Sequence, residues 1–245
     1  MRESFTDEGI ILRVEERGVA DKYVTCFTQN HGRVRFVAFG AKYHKSAGGR
    51  ILQVLTKVNI EFVPDKIIDK LINVELAELP QKLDFTQLAY AAVLAEVTDL
   101  FTVDHQSDEE VYKNLLAALA LLPKKLPRVV ILAYCVKLLQ NTGFNPRLKE
   151  CCQCNRVLAE NEELFFSLKH GGVLCANCHE EKDFPVDTEI LGFYEKFLSM
   201  DLQEPQPLEI KGSQLMKLEK IVSEFILFQV DKPLKSLRYL SQVGL

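Results

Sequence analysis

The sequence predicts an α+β multidomain protein with an N-terminal five-stranded barrel, an α-helical domain and a zinc-ribbon-like module inserted between helices. Three observations carry this. Short β-rich runs fill residues 1–80, and the apolar period turns helical after Pro80. Between Pro146 and Pro185 lie five of the seven cysteines, four of them in two Cys-x2-Cys pairs. The boundaries read as 1–80 for the barrel, 81–145 with 186–245 for the helices, and 146–185 for the cysteine module.

The β runs are GIILRVEE, KYVTCFT, RVRFVAF, ILQVLTKVNIEFV and IIDKLINVELAEL, with QNHG as a turn between the second and third. Five strands in so short a span predict a small barrel, for which an OB-fold is one solution. In RVRFVAF, Val34, Phe36 and Ala38 share one face, and Arg33, Arg35, Val37 and Phe39 share the other.

Asp84 with Gln87, and Ser107 with Glu110, have capping-box spacing. Apolar positions then recur at Val111, Leu115, Leu116 and Leu119. Pro127 can open a third helix and Gly143 can end it; that helix is apolar nearly all round and belongs at the centre of a bundle. After the cysteines come helical patterns over 187–200 and 213–229, the latter with Leu215, Leu218, Val222, Phe225 and Ile226. The QEPQP stretch at 203–207 reads as a connector.

Cys151-x2-Cys154 and Cys175-x2-Cys178 stand twenty residues apart, and FFSLKHGGVL between them reads as a hairpin. Two tight turns aiming four thiolates at one point satisfy tetrahedral zinc. The expected cofactor is Zn2+ in a structural role. Redox chemistry would need a strand leading into a helix at each pair. A deaminase-type zinc would need His-x-Glu ahead of Pro-Cys-x2-Cys, whereas His170 is followed by two glycines. Cys152 and His179 adjoin ligands and cannot easily face the same point, so they and His170 read as bystanders. Sequence alone leaves open a chain whose cysteines have ceased to hold metal.

The chain has 245 residues and a net charge of −4. Its start, MRESFTDEGI, is polar, and its most apolar stretch, VVILAYCVKLL, is short for a membrane span and contains Lys137. A cytoplasmic protein with reduced or metal-bound thiols, away from the membrane, is expected. From Lys22 to Ile60 there are seven Lys or Arg and no Asp or Glu. This window carries a local positive field, against the plainer reading of a solvated face. A second basic set is Lys124, Lys125, Arg128 and Lys137.

Nearly end to end, the chain resembles the bacterial RecO family of DNA repair proteins. FTQNHGRVRFVAFGAK, followed by Lys45-Ser46, looks like the family's strand, turn, strand and basic loop. AYCVKLLQNTGFNPRLKECCQC is similar to its helix, Gly-x-x-Pro turn and first cysteine pair; FFSLKHGGVLCANC resembles the second pair, and KPLKSLRYL the terminal segment. The chain departs from the family at GVADKY, where a Gly-Glu pair is common, and at Asn155, where Gly is. The resemblance implies an OB-fold barrel and a recombination mediator that is not an enzyme. Such a protein binds single- and double-stranded DNA without sequence preference and anneals complementary strands. With RecR it helps RecA replace single-strand-binding protein, whose C-terminal tail it also holds.

On this reading Arg33, Arg35, Lys42, Lys45 and Arg50 are the expected phosphate contacts. Phe39 and Tyr43 either stack bases or belong to the core. Lys137 either meets the carboxylate of an acidic, apolar tail or marks its helix's solvent edge. The rival is a zinc-ribbon and OB adaptor that binds RNA or protein. A zinc hydrolase, from another class again, would lose turnover on chelation.

Overall fold

The computed structural model describes residues 3–42, 47–159 and 162–243, so Tyr43 and Lys45 lie outside the described residues. Contacts divide the chain into two compact units, Met1–Pro127 with Leu234–Leu245, and Arg128–Pro233. Among the described residues no helix is long and apolar enough to cross a membrane.

The first unit opens with strands β1 (Phe5–Arg17), β2 (Asp21–Thr28) and β3 (Gly32–Ala38). A short helix α1 (Ala47–Ile51) precedes β4 (Lys57–Val63) and β5 (Asp69–Leu76). These close a barrel in the order β1-β2-β3-β5-β4, antiparallel except where β3 meets β5 at Phe36–Asp69 and Val37–Lys70. That is the OB-fold. Alternation along each strand sends Val24, Cys26, Val34, Phe36, Ile60 and Phe62 into one core. On β3 the observed faces match those read from RVRFVAF: Val34, Phe36 and Ala38 are buried, Arg35 and Phe39 exposed.

The fourth apolar run is not one continuous strand. Its first part forms the end of α1 and a turn in which Leu55 takes a φ of 70°. Leu52 there is 1% exposed and joins the barrel core, so its apolarity reflects a plug rather than a pleat. The Lys22 ammonium fixes this segment by donating to the carbonyls of Gly49 and Leu52, both at 3.2 Å.

Helices α2 (Phe85–Phe101), α3 (Glu109–Leu121) and, later in the chain, α7 (Lys235–Gln242) belong to the same unit. Asp84 and Gln87 form the capping box that starts α2. At α3 the cap is Asp108, whose carboxylate accepts from the Val111 N–H at 3.0 Å, one residue beyond the expected Ser107. An ionised acceptor at a helix N-terminus also meets the helix dipole, which a serine hydroxyl does only weakly.

Asp7 of β1 holds the β2–β3 turn. Its carboxylate accepts from the N–H groups of Asn30 (2.9 Å) and His31 (3.0 Å), from the Asn30 amide (2.8 Å), and lies 2.8 Å from His31 Nδ1. Burial alone would raise its pKa, but these partners outweigh burial and hold the carboxyl below its ordinary value. The charged form is therefore favoured by folding. Its contribution is present above the unfolded value of about 3.9 and is lost as pH falls through the lower folded value. Asp7→Ala is expected to cost about 2 kcal/mol at pH 7 and to flatten the acid limb of stability, read by urea unfolding between pH 2 and pH 7. An unchanged acid limb would contradict this.

The second unit holds α4 (Pro127–Asn141), the strands β6 (Leu164–Ser167), β7 (Gly172–Cys175) and β8 (Phe184–Val186), then α5 (Thr188–Ser199) and α6 (Gly212–Val230). As its all-round apolarity predicts, α4 is buried continuously from Val130 to Val136. Strands β6 and β7 form the expected hairpin, and β8 adds a third antiparallel strand. Phe166 of β6 packs edge-on against Phe225 of α6 at 5.7 Å, joining that sheet to the helices.

Candidate nucleic-acid face and metal centre

Strand register sets the charged face of the barrel. Arg13 of β1 lies opposite Thr25 of β2, which lies opposite Arg35 of β3, so the two arginines flank a buried threonine on adjacent strands. At ~4.8 Å per strand they stand roughly 10 Å apart. Two residue pairs further along, Glu15 lies opposite Tyr23, and Arg17 places its guanidinium 4.2 Å from the Tyr23 ring centre. These side chains with Ile67 and Ile68 line a groove of about 330 Å³.

Acids from α2 and the loop after it reach this face. Arg33 pairs with Asp104 at 2.6 Å and with Asp99 at 3.2 Å. Arg35 pairs with Asp104, and Arg13 lies 3.4 Å from Asp99. The Arg33 side chain is 19% exposed, while those of Arg13 and Arg35 are 48% and 47% exposed. Arg33 is thus a tether between the barrel and α2, whereas Arg13 and Arg35 keep donors facing solvent.

The other window residues divide similarly. Lys42 pairs with Glu16 at 2.9 Å and Lys57 with Glu8 at 3.0 Å. Arg50 is exposed at the end of α1, and Phe39 is 82% exposed just beyond β3. The acid-free window is therefore met in space by acids from before and after it. Among the described residues, Arg35 and Arg50 of the expected set keep donors toward solvent, with Arg13 and Arg17 added. Reading the charge from Lys22 onward missed those two. The signal was the alternation Arg13, Glu15, Arg17, which puts all three on one side of β1.

Lys137 stands on α4, and its ammonium donates to the Leu198 carbonyl in the last turn of α5. A cation at a helix C-terminus satisfies an orphan carbonyl and complements the dipole. This geometry gives Lys137 a hydrogen bond within the helices that neither reading named.

The cysteine module places the Sγ atoms of Cys151, Cys154, Cys175 and Cys178 all within 4.8 Å of one another, Cys154 and Cys175 at 4.0 Å. Four sulfurs around a tetrahedral ion at ~2.3 Å would sit ~3.8 Å apart, so the cluster fits such an ion. The first knuckle works through its backbone. Burial raises the Cys151 pKa, but the N–H groups of Cys154, Cys175 and Gln153 reverse this and bring it to about 6. Arg156 extends a hydrogen bond to the Cys175 sulfur while pairing with Glu162. At Cys178 the neighbouring thiol of Cys175, then burial, push the value up to about 12. A bound cation would offset the mutual repulsion of four thiolates held this close.

The neighbours are accounted for otherwise. Cys152 Sγ lies 3.9 Å from the Arg147 carbonyl, and a Cβ on Gly172 would come 2.8 Å from that sulfur. His179 stacks on Phe165 at 3.7 Å, with Nδ1 2.8 Å from the Ala176 carbonyl. His170 Nε2 is buried without a hydrogen bond, 3.9 Å from Glu180. The four cysteines singled out in sequence are the four the fold brings together.

Comparison with known proteins agrees along the chain. The family description "Recombination protein O N terminal" matches residues 1–80, and "Recombination protein O C terminal" matches residues 82–238. The chain is 28% identical over 240 residues to the DNA repair protein RecO of Symbiobacterium thermophilum, covering 95% of each. It is 26% identical over 242 residues to that of Bifidobacterium animalis subsp. lactis, covering 96% of this chain and 98% of the relative. With the protein of the same name from Moorella thermoacetica it shares 25% identity over 244 residues, covering 98% of this chain and 91% of the relative.

Proposed function

The chain belongs to the RecO family of DNA repair proteins, and from that premise we propose that it is a recombination mediator without a catalytic step. It binds single- and double-stranded DNA through phosphates, anneals complementary strands, and with RecR helps load RecA onto DNA coated by single-strand-binding protein. The observation that supports this best is the row Arg13–Thr25–Arg35 on an OB-fold barrel. Guanidiniums on either side of β2 can meet phosphates along one strand and read no base edge, so affinity comes from counterion release without sequence preference. Arg50 extends the positive field, and exposed Phe39 offers a ring on which a base can stack. Lys42, Lys45 and Tyr43 complete the proposed interface, Lys42 after release from Glu16.

Annealing needs two polyanions brought together. A positive face lowers their repulsion, and base pairing then supplies the sequence specificity. Zinc at Cys151, Cys154, Cys175 and Cys178 would supply cross-links to a module with little apolar core of its own. The tail of single-strand-binding protein carries carboxylates, and Lys137 could meet them with the donors it does not spend on Leu198.

The test is annealing of two complementary labelled oligonucleotides, read by fluorescence transfer, with and without the cognate single-strand-binding protein. Acceleration of at least about tenfold over the protein-free rate is expected, by analogy with electrostatic steering. No acceleration in either condition, or preferential binding to RNA, would contradict the reading.

A further inference from the structure

Across the barrel face the charges alternate in one chain: Arg13, Asp99, Arg33, Asp104, Arg35. Its middle is shielded, with Asp99 at 12% and Arg33 at 19% exposure, and serves to anchor α2. Its end is not: Asp104 is 29% and Arg35 47% exposed. A carboxylate presents a guanidinium with the same pair of oxygens as a phosphate. Asp104 therefore occupies on Arg35 the place that a nucleic-acid phosphate would take.

The backbone carrying Asp104 is held independently of that pair. His105 N–H donates to the Arg33 carbonyl at 3.0 Å, and His105 Nε2 lies 3.2 Å from Asp69. Gly32, with a φ of +65°, lets the loop approach so closely that a Cβ there would sit 2.0 Å from the Gln106 carbonyl oxygen. The loop thus lies along the part of β3 that β5 leaves unpaired, bridging at Arg33 and Asp104. These bonds hold the Asp104 backbone beside β3 without calling on the Arg35 pair. The Arg35 guanidinium, by contrast, ends a flexible side chain and borders the groove with Arg13, Arg17 and Tyr23.

We propose that Asp104 is a built-in competitor for nucleic-acid phosphate at Arg35, holding the barrel's affinity for a single strand below what its arginines alone would give. This rests on the assignment of the barrel face to DNA. A protein that brings strands together must also release the duplex, and a moderated grip on each strand serves turnover where a maximal one would trap the product.

The experiment is a binding cycle on the full-length protein with labelled oligodeoxythymidylate, using Asp104→Asn, Arg35→Gln and the double variant. Asparagine keeps an acceptor for Arg33 while removing the charge, and thermal unfolding checks that the fold survives; Asp104→Ser is the second variant if it does not. Asp104→Asn is expected to bind about fivefold tighter, the scale of one exposed ion pair. Its log-log salt slope should steepen by about 0.7, one further phosphate contact on a single strand. In the Arg35→Gln background the gain should shrink to less than about twofold, because the competition has no object there. The same gain in both backgrounds, or none in either, would overturn the competitor while leaving the face assignment standing. A wild-type protein that binds no DNA would overturn both.

Discussion

Replacing Cys151 and Cys175 together by serine is expected to unfold the cysteine module and leave the barrel's DNA affinity within about twofold of the parent. The module's core cluster is built from cysteines as much as hydrocarbon: Cys151, Cys175 and Leu174, with Cys152, Leu158 and Cys178 packed against them. Apolar burial on that scale cannot hold some forty residues against their conformational entropy, so the metal cross-link would carry the fold. The loss should be on the order of 5 kcal/mol or more, since structural zinc contributes folding free energy outright. Hydrogen exchange should show lost protection over 147–178 with the barrel strands unchanged, and elemental analysis should show loss of about one zinc per chain. Native protection in a metal-free variant would show that the cysteines do not brace this segment.

Neutralising Arg13, Arg35 and Arg50 to glutamine is expected to weaken DNA binding on the order of a hundredfold near 0.1 M salt, given that each phosphate contact contributes separately. These three are chosen because the fold can spare them. Arg13 and Arg35 sit half-exposed at the ends of the charge chain, and Arg50 is exposed on α1. Arg33 is a poor choice despite its place in the sequence pattern. Removing it takes from Asp99 and Asp104 the guanidinium they share and loosens the barrel from α2, so lost affinity could not be told from lost structure. Single and double strands should be affected alike, because phosphates are common to both. A triple variant with undiminished affinity would place the DNA elsewhere.

Features that depend on neighbours in sequence were legible there. The Asp84–Gln87 box, the buried run of α4, the two faces of β3 and the four ligands at Cys-x2-Cys spacing all depend on contacts within a few residues, or on two such groups meeting. Features that depend on distant partners were not. The window from Lys22 to Ile60 contains no acid, yet Glu8 and Glu16 reach it across the sheet, and Asp99 and Asp104 arrive from α2 and the loop beyond. A linear charge count has no access to strand register, and register put Arg13 beside Arg35. The run beginning at Ile51 failed as one strand for a related reason: a residue plugging the end of a barrel is as apolar as one in its wall. The helix α7 was missed because its eight residues carry only a brief period, and what fixes its start is remote. The Glu96 carboxylate of α2 accepts from the N–H groups of Lys235 and Ser236, at 3.0 and 2.8 Å.

The most direct test of the division of labour is the affinity for labelled single-stranded DNA across a sodium chloride series, with and without a zinc chelator. The account predicts a log-log slope of roughly −2 to −4 for three to five phosphate contacts, unchanged by chelation, because the contacts lie on the barrel and the cysteines only brace their own module. A slope near zero, or binding that disappears with the metal, would contradict it.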